Sequence, residues 1–180
     1  MALMNGNLLY RSKEFVIETF GQEKFDKILS EMENSSKNIL SKSINSSAMY
    51  DVNVYQEFLR ASEKILGRAE IQKMSRYCFK KQITGFYGIV LKFISLGRVL
   101  KSSQQMWDKT YNEGKVEIIN KDNTKFIMKV SEFEWNESMM YGFMYYIQAL
   151  VEEVAQKKVI CSCKNIDQKT TEFTFIVLLN

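Results

Sequence analysis

The chain has 180 residues, of which 46% are hydrophobic, and its formal net charge is +4. This length and apolar content are typical of one packed globule, so we expect a single domain over residues 1–180. The sequence contains no histidine and no proline. Without histidine it cannot form Ser-His-Asp or Cys-His catalytic systems, histidine-ligated zinc sites, or a haem site with a proximal histidine.

Residues 8–33 have helical apolar spacing that is interrupted at Gly21, which predicts two short helices. Residues 34–47, rich in Ser, Asn and Lys, predict a loop in which NILSKSI is compatible with a short edge strand. The segment YDVNVYQEFLRASEKILG predicts the next helix. Asp51 or Asn53 can cap its start, and the glycine that follows Leu66 can end it.

Three further helices are predicted before Gly114, over residues 69–82, 84–97 and 98–112. The first of them places Cys78 on its inward face. The second is apolar nearly all round, so we expect it to lie at the centre of the domain.

After Gly114 the apolar period changes from helical to alternating. KVEII, the turn NKDNT and KFIMKV predict a hairpin. A long amphipathic helix follows in SEFEWNESMMYGFMYYIQALVEEVAQ, with Asn136 or Ser138 as its cap, and KVICSCK with TEFTFIVLL predicts a second hairpin. We therefore expect an α+β fold: an N-terminal helical block, then a C-terminal antiparallel sheet of two hairpins, about four strands, with one long helix between the hairpins.

Cys161 and Cys163 share one face of their predicted strand with Val159. They could be half of a metal site, a redox pair, or small apolar residues of a buried strand face. A zinc site needs about four ligands, and only Cys78 and carboxylates remain to complete one. We interpret the pair as a strand face and expect no metal site.

No apolar run reaches the ~18 residues of a membrane span. The N-terminus has no basic region followed by an apolar core, so we expect no secretory signal and a cytoplasmic location. The densest basic group, Lys73, Arg76, Lys80 and Lys81, is interpreted as a solvated helix face, and we expect no nucleic-acid partner.

Methionines and aromatic residues are concentrated in GFYGIVLKF and MMYGFMYYIQAL. Plain core packing would explain them, but soft and aromatic side chains also line pockets and interfaces. The candidate lining of an apolar small-molecule pocket is Phe86, Phe93, Met106, Met140 and Met144. The candidate interface residues are Trp135, Tyr141, Tyr145 and Tyr146.

Four segments share a hydrophobic pattern and an element order with a known family: EFVIETFGQEKFDKIL, YDVNVYQEFLRASEKILG, WDKTYNEGKVEI and YGFMYYIQALVEEV. They resemble the haem-NO-binding and vinyl-reductase-type ligand-binding superfamily, which also includes the TRAPP vesicle-tethering subunits. In the haem-binding branch a histidine on a helix in the middle of the chain ligates iron. The comparable stretch here, LKSSQQMWDKTY, has none, so the resemblance implies a non-haem member without a cofactor, similar to uncharacterised bacterial members.

Three functions follow, in order of preference. The first is a non-enzymatic sensor or binding module with an apolar small-molecule pocket. The second is a scaffold or homodimeric assembly subunit that resembles the vesicle-tethering subunits. The third, an enzyme that uses Cys78 or Cys163, has no supporting residue spacing, and we expect that the protein is not an enzyme.

Overall fold

The computed structural model describes residues 1–83, 95–119 and 124–178. In chain order, its elements are β1 (Leu3–Asn5), α1 (Gly6–Ser30), α2 (Asn34–Leu40), β2 (Met49–Asp51), α3 (Val52–Leu66), α4 (Arg68–Gln82), α5 (Leu96–Lys101), α6 (Ser103–Asp108), β3 (Lys115–Ile119), β4 (Lys125–Ser131), α7 (Glu137–Ala155), β5 (Val159–Asp167) and β6 (Thr170–Val177).

The predicted α+β arrangement is confirmed. The two C-terminal hairpins form one antiparallel four-stranded sheet in the order β3-β4-β6-β5, and α7 lies between the hairpins in sequence. Helix α7 packs against α3 and α4 on one side and against β5 and β6 on the other. It therefore joins the helical block to the sheet, together with α6, which contacts β3.

Local sequence signals place several helix boundaries correctly. The predicted break at Gly21 is a kink inside α1, where φ is +81°. Helix α3 begins after Asp51, whose side chain accepts a hydrogen bond from the Asn53 N–H at 2.9 Å, and ends at Gly67 with φ +91°. Asn136, and not Ser138, caps α7 by accepting from the Met139 N–H at 2.8 Å.

The predicted loop over 34–47 was wrong in its first half, because Asn34–Leu40 forms α2 and not a loop or an edge strand. Long-range contacts decide this. Leu40 is fully buried, and Lys13 Nζ donates to the carbonyl oxygens of Leu40 at 2.6 Å and Lys42 at 2.9 Å. These bonds satisfy carbonyls near the C-terminal end of a very short helix.

Two other differences concern short elements. Strands β1 and β2 pair antiparallel in a small second sheet that was not predicted. The helix predicted over 98–112 is the two short helices α5 and α6. Most of the helix predicted over 84–97 lies outside the described residues.

The strand register confirms the predicted face of β5. Cys161 and Cys163 pair with Phe175 and Phe173 of β6, and Val159 pairs with Val177. Both thiols are free and half-buried. In the parts of the chain that the structure describes, no three potential metal-ligating side chains come together, and no helix is long and apolar enough to cross a membrane.

Candidate functional site

A cavity of about 500 Å³ lies between α7 and the other helices. Its described walls come from α1, α3, α4, α5, α6, β3, β4 and α7 together with the chain segments beside α1 and α6. We call it the central cavity. Its size falls within the range of about 300–1,000 Å³ that is typical of small-molecule sites. Its aromatic, thiol and thioether lining groups are Tyr55, Cys78, Met106, Trp107, Tyr111, Met128, Met139, Phe143 and Tyr146.

Trp107 and Tyr111 form the wall contributed by α6 and the turn after it. Their ring centroids are 4.3 Å apart. The Trp107 ring N–H donates to the Glu113 carbonyl oxygen at 2.7 Å. At Gly114, where φ is +99°, a Cβ would lie only 2.9 Å from Trp107 Cζ2. The tight turn after α6 therefore requires glycine and fixes the indole against the cavity.

Two of the polar lining groups share one buried serine. Ser12 Oγ lies 3.2 Å from Tyr55 Oη and 3.4 Å from Cys78 Sγ. Burial raises the pKa of the Cys78 thiol to about 12 and raises the pKa of Tyr55 well above its ordinary value. Both groups therefore hold their protons at neutral pH, which makes the cavity thiol a poor nucleophile.

Two further tyrosines also line the cavity. Tyr146 Oη donates to Gln82 Oε1, and Tyr111 Oη makes no hydrogen bond with the described residues. Burial raises the pKa of both phenols. Lys109, an exposed side chain, is the one charged group among the described lining residues, so the interior of the cavity is neutral.

The residues predicted to line a pocket divide into three groups. Met106 lines the central cavity and is 41% exposed. Met140 and Met144 are buried on α7 and are not among the described lining residues. Phe86 and Phe93 lie outside the described residues.

The predicted interface residues do not form one surface. Tyr141 and Tyr145 stack on α7 with ring centroids 6.3 Å apart, and the Arg68 guanidinium lies 4.0 Å from the Tyr141 ring centroid. Tyr146 lines the cavity instead. Trp135 packs in an aromatic cluster with Trp107, Phe133, Phe143 and Phe173.

Sequence reasoning placed Cys78 inward on a helix but did not assign it to a pocket, and it assigned neither Tyr55 nor Tyr111 to one. Helical periodicity shows that such residues face the interior. It does not show whether they meet other side chains or a void. The available signal was compositional: polar Tyr and Cys side chains at inward positions of successive helices.

No family model and no curated protein matches the sequence. Solved structures do match, and the fold they share with this chain is that of the H-NOX proteins, the haem-NO-binding fold. One is the unliganded Fe(II) H-NOX protein from K. algicida, with 13% identity, a TM-score of 0.72 and 98% of both chains covered. Another is the H-NOX protein from S. oneidensis in its Fe(II)NO ligation state, with 9% identity, a TM-score of 0.70, and coverage of 98% of this chain and 100% of that one. At such low identity, the structural similarity shows a common fold and no shared function.

Proposed function

We propose that the protein is a cytoplasmic, non-enzymatic sensor or binding module that takes an apolar small molecule, and not haem, in the central cavity. The observation that carries the proposal is a cavity of about 500 Å³ with an uncharged interior, lined mainly by aliphatic and aromatic side chains. Such a cavity favours an apolar ligand held by a few polar groups.

Two features support binding without haem. Haem iron in proteins is held by histidine, cysteine thiolate, tyrosine, or methionine together with histidine, and the chain has no histidine. The cavity thiol and phenols are the other ligand types, and three of these four groups are already engaged: Tyr55 and Cys78 contact Ser12, and Tyr146 donates to Gln82. The described lining also offers one cation, the exposed Lys109, to pair with the two carboxylates of a haem. The described residues therefore fit haem poorly.

The same side chains support a role without catalysis. Cys78, Tyr55 and Tyr111 are protonated at neutral pH and no general base lies against them among the described residues. This agrees with the solved neighbours, which are described by the ligand state of their iron and not by a turnover reaction.

Helix α7 supplies a route from the cavity to the sheet. It contributes cavity wall from Met139 to Val151, and Gln148 on the same helix donates to the Val159 carbonyl oxygen of β5 at 2.7 Å. A bound molecule that displaces α7 therefore also shifts the position of the edge strand β5. That displacement is the conformational output that we propose.

The test compares an apolar fluorescent probe, 1-aminoanthracene, with haemin. We expect the probe to bind stoichiometrically, and haemin to give no stoichiometric shift of its Soret band. Leu100→Trp places an indole in the cavity wall and should weaken probe binding about tenfold or more. Ile160→Trp adds the same ring at an exposed site on β5 and should leave it unchanged. Failure of the probe to bind, or stoichiometric haem binding, would refute the proposal.

The second candidate is a scaffold or homodimeric assembly subunit, as in the vesicle-tethering branch of the resemblance. The stacked Tyr141–Tyr145 pair on α7 favours it, because partly exposed aromatic residues are enriched at interfaces. Light scattering tests it. A monomer at high concentration, with no change on Tyr145→Glu, would exclude the homodimer.

A further inference from the structure

Tyr111 is a buried phenol whose hydroxyl has no hydrogen-bond partner among the described residues. The side chain is 4% exposed and lines the central cavity. Its ring is fixed by Trp107 and by Phe133, whose centroid lies 5.2 Å away. The Tyr111 hydroxyl oxygen is not among the described side-chain atoms that are both fully buried and unpartnered, so it keeps accessible surface at the cavity wall. An O–H that a fixed ring holds at this wall is placed to donate to a molecule in the cavity.

The trio Ser12, Tyr55 and Cys78 adds a further donor. The three side chains carry three polar hydrogens, but only two contacts join them: Ser12 with Tyr55 and Ser12 with Cys78. Each contact uses one hydrogen, so one O–H or S–H of the trio has no acceptor within it. When Ser12 donates to one partner and accepts from the other, the spare hydrogen belongs to Tyr55 or Cys78, which both line the cavity.

The cavity thus presents spare donors in a neutral interior. Lys109, its one charged group among the described lining residues, is exposed to solvent. A carboxylate buried beside Tyr111 would lack a buried cation, which is costly. A neutral oxygen acceptor would satisfy the Tyr111 hydroxyl without that cost.

We infer that the ligand of the central cavity is a largely apolar, uncharged molecule bearing a hydrogen-bond-accepting oxygen, such as the carbonyl of an aryl ketone or a quinone, and that Tyr111 Oη donates to that oxygen. This inference rests on the proposed function of the cavity as a small-molecule site. The Ser12–Tyr55–Cys78 trio is a second donor group for a ligand with a second oxygen.

The experiment uses two probes that differ mainly in one oxygen, 2-acetylnaphthalene and 2-ethylnaphthalene, each measured by displacement of 1-aminoanthracene. Tyr111→Phe removes the hydroxyl and keeps the ring packed on Trp107. We expect it to weaken binding of the ketone about tenfold, the cost of a lost buried hydrogen bond, and to change binding of the hydrocarbon less than about twofold. Tyr10→Phe makes the same chemical change at an exposed site and should alter neither affinity.

A second measurement needs no variant. The infrared carbonyl band of 2-acetylnaphthalene bound to the wild-type protein should lie below its position in hydrocarbon solvent and return towards that position in Tyr111→Phe. A wild-type carbonyl band at its hydrocarbon position would overturn the inference. So would equal losses of affinity for both probes in Tyr111→Phe. Binding of both naphthalenes without discrimination leaves the proposed function intact and sinks only the inference, whereas binding of neither sinks both.

Discussion

At Gly114 a left-handed backbone and a large neighbour act on the same residue. The φ angle of +99° already disfavours an L side chain, and a Cβ would lie 2.9 Å from Trp107 Cζ2. Gly67 has a similar φ of +91° but nothing within 4 Å of the Cβ position. Comparing substitutions at the two glycines therefore separates the cost of backbone strain from the cost of a steric clash.

We predict that Gly67→Ala lowers the free energy of unfolding by about 1 kcal/mol, the cost of a non-glycine residue in this region. Gly114→Ala should lower it by about 2–4 kcal/mol, because the clash with the indole adds to the strain. Urea unfolding measures both. Gly114→Ala should also weaken 1-aminoanthracene binding by displacing Trp107, and Gly67→Ala should not. Equal stability losses would show that the indole moves aside freely.

At the scale of elements, the start of α7 is capped by one hydrogen bond and fixed to Gln56 of α3 by three more. Asn136 Oδ1 accepts from the Met139 N–H, and Asn136 Nδ2 donates to the Gln56 carbonyl oxygen at 2.8 Å. Gln56 Oε1 accepts from the Asn136 N–H at 3.0 Å, while Gln56 Nε2 donates to the Glu134 carbonyl oxygen at 2.9 Å. Asn136 is thus both a helix cap and an interhelical clamp.

We predict that Asn136→Ala costs about 2–3 kcal/mol of stability, the sum of a lost cap and a lost contact to α3. Asp51→Ala at the start of α3 is the matched control. Its side chain caps α3 through a single bond to the Asn53 N–H, so it should cost about 1 kcal/mol. Equilibrium unfolding of the two variants gives the comparison, and equal costs would argue that the bond from Asn136 Nδ2 to the Gln56 carbonyl oxygen contributes nothing.

The elements that sequence reasoning placed correctly are those set by local chemistry. The kink at Gly21, the caps at Asp51 and Asn136, and the alternation in both hairpins depend on residues close together in the chain. Helix α2 was missed because its carbonyls are satisfied by Lys13, which lies far away in sequence. The cavity was only partly predicted: the order of elements resembled a ligand-binding family, but Tyr55 and Cys78 have the same apolar spacing as ordinary core residues.

At the scale of the whole molecule, a buried thiol and three buried phenols make the free energy of unfolding fall at alkaline pH. Burial raises the pKa of Cys78 from 9.0 to about 12, and raises those of Tyr55, Tyr111 and Tyr146. These groups stay protonated in the folded protein while the unfolded chain ionises them. Their stabilising contribution is therefore complete below about pH 8 and is lost as pH rises from about 9 towards 12.

We predict that the free energy of unfolding falls above pH 9, with about 1.4 kcal/mol per pH unit for each fully ionised unfolded group. Cys78→Ala should reduce this slope between pH 9 and 10 by about 1 kcal/mol per pH unit, since one such group is removed. Urea titrations at pH 8, 9 and 10 measure the slopes. An unchanged slope in Cys78→Ala would show that the thiol ionises alike in both states.

The backbone of Tyr111 is also part of a β-bridge to Met4. Around it the Asn5 N–H donates to the Thr110 carbonyl oxygen at 2.7 Å, and the Asn112 N–H donates to the Leu3 carbonyl oxygen at 3.1 Å. Because Tyr111 itself bridges to Met4, a displacement of its ring also displaces β1 and, through the pairing of β1 with β2, strand β2. Filling the cavity should consequently slow deuterium uptake at the amides of Asn5 and Asn112, which gives a readout of occupancy at the β1–β2 pair as well as at the cavity wall.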